Sequence, residues 1–115
     1  MIQIYGIKSC STVKKALNWL DENQLEYEFH DFKKEPPSSE MIARWQKAFG
    51  WEPLVNRRGT TWRKVERSRQ DLIVDAASAG TLMLELPSLI KRPILESGSQ
   101  YLLGFDAEEY QEHLA

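Results

Sequence analysis

The stretch Ile2-Gln3-Ile4-Tyr5-Gly6-Ile7-Lys8-Ser9-Cys10-Ser11-Thr12-Val13-Lys14-Lys15-Ala16-Leu17 decides the fold. Residues 2–5 are a short apolar run closed by Gly6, which reads as a buried strand. From Ser11 to about Asn23, the apolar residues Val13, Ala16, Leu17 and Leu20 recur at helical spacing, so a helix follows the strand after a single turn. Ser9 and Ser11 are both candidates to cap that helix with a hydroxyl. Either way, Cys10 falls at its positive N-terminal end.

Downstream, Tyr27 and Phe29 alternate with Glu28 and His30 as in a half-buried strand. A β-α-β unit results, and its right-handed crossover makes the two strands parallel. Pro36-Pro37 punctuates the chain, and Met41, Ile42, Trp45, Ala48 and Phe49 then mark a second helix that stops at Gly50. Residues 51–63 are irregular. Leu72, Ile73, Ala76 and Ala77 predict a helix ending before Gly80, and Leu82, Met83, Leu86 and Leu89 a further one, broken or reset at Pro87. Residues 93–96 and 100–103 read as a β-hairpin around Ser97-Gly98-Ser99. Asp106 followed by Glu109 resembles a capping box, and it opens a last helix through Tyr110 and Leu114. The order β-α-β, helical block, β-β-α defines an α/β protein with one mixed sheet flanked by helices.

At 115 residues, with 42% hydrophobic and 28% charged residues and no linker-like composition, the chain is expected to be a single domain, 1–115, with a helical insertion at about 38–90. A formal net charge of -2 gives no overall field for nucleic acid or an anionic membrane. The N-terminus has no basic segment leading into a long apolar one, and no run approaches the roughly 20 apolar residues of a membrane span. A cytoplasmic location is expected. The single cysteine fits a reducing compartment, since no disulfide can form within the chain. His30 and His113 lie far apart with no second cysteine nearby, so no metal site is expected.

A lone cysteine is usually a small buried hydrophobe. Cys10, however, stands in a polar Lys-Ser-Cys-Ser-Thr turn between a strand and a helix, where a substrate has access. Thiolate is the reactive form, and a free thiol with a pKa of roughly 8.5 is mostly protonated at neutral pH. Helix amides and the helix dipole favour the ionised sulfur, and Lys8 and Lys14 are close in sequence. Val13 stands where a Cys-x-x-Cys motif has its second cysteine, which excludes the two-cysteine mechanism. Trp45 reads as core, and Trp51 and Trp62, which flank the basic segment Asn56-Arg57-Arg58-Gly59, read as packing residues, with the lining of a cleft as the alternative for either.

The turn from Tyr5 to Ala16, the segment Tyr27-Glu28-Phe29-His30-Asp31 and the late Lys91-Arg92-Pro93-Ile94 together resemble the arsenate reductase (ArsC)-like family, in particular its YffB branch, with the Spx regulators as relatives. The resemblance implies a thioredoxin-like fold with a helical insertion. It also implies an oxidoreductase in which Cys10 is the nucleophile and glutathione or glutaredoxin resolves the adduct. Arg92 matches one anion-holding arginine, and Arg58, with Arg57 beside it, is the candidate for another, because a carboxylate suits a bidentate guanidinium. Lys8 is retained as a charge near the sulfur. The Arg92-Pro93 bond matches a cis-proline that offers backbone groups to a peptide-like ligand, although most X-Pro bonds are trans.

The expected reading is a glutathione-dependent thiol reductase with no bound cofactor, glutathione as co-substrate, no direct nucleic-acid or membrane partner, and a monomeric chain. Two alternatives stay open. One is reduction of arsenate or another oxyanion by the same cysteine, against which residues 97–105 count because they lack the late arginine of arsenate-reducing members. The other is a Spx-like protein that docks on a transcription complex without catalysis.

Overall fold

The structure, a computed structural model, describes residues 1–115. In chain order its elements are β1 (Ile2–Gly6), α1 (Ser11–Glu22), β2 (Tyr27–Asp31), α2 (Ser39–Phe49), α3 (Trp51–Leu54), α4 (Thr60–Arg63), α5 (Arg67–Gln70), α6 (Ala76–Glu85), a 3-10 turn (Pro87–Leu89), β3 (Ile94–Ser97), β4 (Gln100–Leu103) and α7 (Ala107–Leu114). They fall into two compact units, Met1–Glu35 with Arg92–Ala115, and Pro36–Lys91. No helix is long and apolar enough to cross a membrane.

The first unit carries a four-stranded mixed sheet in the order β2-β1-β3-β4. β1 runs parallel to β2 and antiparallel to β3, and β3 pairs antiparallel with β4, so the β-α-β unit and the hairpin are both present as expected. Strand alternation puts Ile2, Ile4, Leu95 and Leu102 on one face, where they pack with Ala16 and Leu20 of α1 and Tyr110 of α7. Each large aliphatic side chain buried there contributes roughly 1.5–3 kcal/mol. Tyr110 stands edge-on to Trp19 and Phe105, and its hydroxyl donates to the Gly104 carbonyl at 3.2 Å, which satisfies the polar end of a buried ring. Asp106 caps α7 through the amides of Glu108 and Glu109.

In the second unit α2 packs on α6: Gln46 Nε2 donates to the Ala76 carbonyl at 2.9 Å, and a Cβ on Gly80 would stand 3.4 Å from Gln46 Nε2 and 3.9 Å from Ile42 Cγ2. Gly80 therefore lies inside one helix at its contact with another, and does not end a helix as the sequence suggested. α6 begins only at Ala76 because Asp75 and Ser78 form a reciprocal capping box that fixes the start there. Leu72 and Ile73 precede it in a non-helical segment, with Leu72 exposed and Ile73 buried. Residues 51–63 are likewise not irregular throughout, since α3 and α4 occupy most of them as four-residue helices. An antiparallel bridge between Val55 and Ile90, extended by Lys91 N–H to the Leu54 carbonyl at 2.8 Å, ties the end of this unit to its middle.

Candidate functional site

Cys10 is itself the N-cap of α1, in extended conformation. Neither Ser9 nor Ser11 caps the helix, because the Cys10 amide closes a turn onto the Ile7 carbonyl at 3.0 Å and the Cys10 carbonyl accepts the first helical bond from Lys14 N–H. That turn leaves the sulfur half-buried above the open amides of the first helical turn. Gly6 makes the arrangement possible, since a Cβ there would stand 2.7 Å from Val13 Cγ2 and 3.7 Å from Arg92 Cβ. Strand end, helix start and Arg92 thus converge on one glycine.

Burial pushes the Cys10 thiol up, but it is outweighed by hydrogen bonds from the Val13 amide, the Arg92 side chain and the Thr12 amide and by the Arg92 charge, so the pKa lies below the ordinary thiol value. The sulfur makes no capping bond of ordinary geometry. Its amide contacts matter because they strengthen when the sulfur carries charge. Lys8 stands exposed on the turn, and neither it nor Lys14 is among the causes of the shift. The cation that acts on the sulfur is Arg92, delivered from the start of β3 by the β1–β3 pairing.

Arg92 is half-buried and Pro93 fully so; the bond between them is cis, and the Pro93 carbonyl accepts from Gly104 N–H at 2.8 Å. The structure brings Arg92 to Cys10 within the first unit, and Pro93 follows Arg92 in the chain.

Arg57 and Arg58 belong to the second unit, where with Glu52, Asn56 and Lys91 they line a groove of about 380 Å³. The Arg57 guanidinium lies 5.9 Å from the Trp51 ring centre and 5.7 Å from that of Trp62, within cation–π range of both indoles. Asn56 Oδ1 accepts from the Arg58 amide at 3.2 Å and shapes the turn that presents the pair. Neither Glu52 nor Lys91 stands out in the sequence as a groove residue, because only the Val55–Ile90 bridge brings Lys91 to residues 52–58. No cluster of three or more histidine, cysteine or acidic side chains is arranged to hold a metal.

A mixed sheet with a cysteine at the N-cap of its first helix and a cis-proline ahead of the opposing strand defines a thioredoxin-like α/β protein of the one-cysteine kind. The chain belongs to the ArsC family, which it matches over residues 5–113. An uncharacterized protein of Haemophilus influenzae is 40% identical over 115 residues, which cover both chains completely. A solved structure of a YffB protein is similar with a TM-score of 0.96 at 44% identity, both chains being fully covered. A solved arsenate reductase related protein from Brucella melitensis gives a TM-score of 0.76 at 46% identity over 97% of this chain and 92% of that one. The global transcriptional regulator Spx of Streptococcus agalactiae is a more distant relative, 26% identical over 99% of this chain and 83% of its own.

Proposed function

We propose that this protein is a glutathione-dependent thiol reductase of the cytoplasm, and the observation that carries the reading is the Cys10 sulfur held toward its thiolate form by two helix amides and Arg92. The thiolate attacks the glutathione sulfur of a mixed disulfide, the substrate leaves as a thiolate and takes up a proton, and Cys10 is left joined to glutathione. A second glutathione thiolate, or that of a glutaredoxin, then attacks the glutathione sulfur of this adduct. Glutathione disulfide, or its glutaredoxin counterpart, leaves and the Cys10 thiolate returns, so the substrate disulfide is reduced and the external thiol oxidised. Arg92 steadies the sulfur charge, the backbone at cis-Pro93 receives the peptide-like ligand, and Arg57 and Arg58 serve as anchors for glutathione carboxylates.

The test is mass spectrometry of the intact protein with oxidised glutathione across a pH series, with Cys10→Ser as control. One adduct per chain, forming readily below pH 8 and absent in the variant, is the expected result. No adduct, or one formed only at alkaline pH, would remove the activated thiol and with it this function. Reduction of an oxyanion by the same sulfur has the Arg92 charge in its favour and the absence of a basic residue in 97–105 against it. Arsenate loss that requires added glutathione or glutaredoxin would decide for that second reading.

A further inference from the structure

The first 20 residues contain no aspartate or glutamate, and their only basic side chains, Lys8, Lys14 and Lys15, all lie within five residues of Cys10. All three are exposed and none is in an ion pair. Neither Lys14 nor Lys15 has a carboxylate three or four residues away on α1, where a helical pair would form. The acids of that helix, Asp21 and Glu22, stand in its last turn, and Asp21 accepts from the Tyr27 hydroxyl at 3.0 Å.

This charge order runs against the helix dipole, which favours acids at the N-terminal end and cations at the C-terminal end. Other helices follow the rule: α2 has Glu40 in its first turn and Lys47 in its last, and α7 has Glu108 and Glu109 first and His113 last. Departures from a local rule gather at functional sites. Activation of the sulfur does not explain this one, since the cation acting on Cys10 is Arg92 and none of the lysines contributes. Three ammonium groups thus flank a nucleophilic sulfur with no charge in the chain to match them.

We propose that Lys8, Lys14 and Lys15 form a docking surface for the protein substrate, and that this substrate carries aspartate or glutamate beside its glutathionylated cysteine. A disulfide that reaches Cys10 brings the residues flanking its own cysteine to these lysines. Carboxylates there are drawn in by the combined field, which speeds encounter more than it tightens the complex. A nucleic acid would meet the same lysines, but it has no sulfur to offer the residue between them. The inference rests on the thiol-reductase reading: the Cys10 thiolate attacks the glutathione sulfur, the sulfur–sulfur bond breaks, and the acidic substrate leaves as a thiolate that takes up a proton. To that reading it adds the class of protein selected.

The experiment follows formation of the Cys10–glutathione adduct by intact-protein mass spectrometry in a single turnover with each of two glutathionylated peptides. One has glutamates on both sides of its cysteine, and the other has glutamines at the same positions. At low ionic strength the wild-type chain is expected to react about tenfold faster with the acidic peptide, the low end of electrostatic steering. The ratio should fall towards one in about 1 M sodium chloride, where charges are screened beyond roughly 3 Å. Lys8→Gln, Lys14→Gln and Lys15→Gln combined should bring it towards one at low salt as well. All three positions are exposed, so this variant should fold, which circular dichroism checks. Equal rates for the two peptides in the wild-type chain, or a ratio that survives salt or the triple substitution, overturns the docking surface while leaving the reductase reading in place. So does a duplex oligonucleotide bound by the wild-type chain and not by the variant when the peptides show no preference. Adduct formed from neither peptide overturns the reductase reading, and the docking surface with it.

Discussion

At the scale of single residues, reactivity is set by what stands within a few ångströms of one sulfur. Because the Cys10 pKa is lowered, the thiolate is fully present above that lowered pKa and is lost only as pH falls through it. Alkylation by iodoacetamide should therefore reach its plateau at lower pH than it does for a free cysteine. Arg92→Ala removes both a hydrogen bond and a charge from the thiolate, so its alkylation midpoint should move to higher pH; an unmoved midpoint would show that the amides alone hold the charge. Gly6 is the second decisive residue. Gly6→Ala forces a methyl against fully buried Val13 and should cost roughly 1–3 kcal/mol in urea unfolding. Val13→Ala in the same chain removes the γ-methyl it strikes, so the double variant should recover part of that loss and part of the Cys10 reactivity. A double variant no better than the sum of the two single ones would mean that Gly6 is needed for something other than this contact.

At the scale of elements, the parts that were legible in the sequence are those whose information is local. β1, α1, β2, the hairpin and α7 announce themselves through periodicity and punctuation, and even the cap of α7 is readable: Asp106→Ala should cost about 1 kcal/mol by urea unfolding, and Asp106→Asn much less. Four-residue helices such as α3, α4 and α5 contain barely one turn, too little for a period to show. Gly80 misled for a different reason, since a glycine that admits a neighbouring helix and a glycine that ends one look alike in a sequence. The same division runs through the candidate site. Cys10 is legible because its strand, turn and helix are contiguous, but the Arg92 contact depends on β3 lying beside β1, which only the family resemblance suggested. Lys8 was favoured by nearness in sequence; its side chain is exposed on the turn, and it is not among the causes that lower the Cys10 pKa.

At the scale of the whole molecule, one number constrains the chemistry more than any distance: the chain has a single cysteine. A two-cysteine reductase expels its product by attack from within the same chain, at an effective concentration set by the fold. Cys10 has no such partner, so any disulfide it forms joins it to another molecule, and the return to thiolate requires a thiol from solution. The rate law follows from that. Turnover of a glutathionylated substrate should rise with glutathione concentration and saturate as resolution ceases to limit, with ping-pong kinetics because the reduced substrate leaves before the second thiol arrives. When glutathione is scarce, the chain should accumulate as the one-to-one adduct, visible by mass spectrometry in the steady state, and Cys10→Ser should give neither adduct nor turnover. A substrate-reduction rate independent of the external thiol over many turnovers would contradict the scheme, since this chain has no second thiol to supply the missing electron pair.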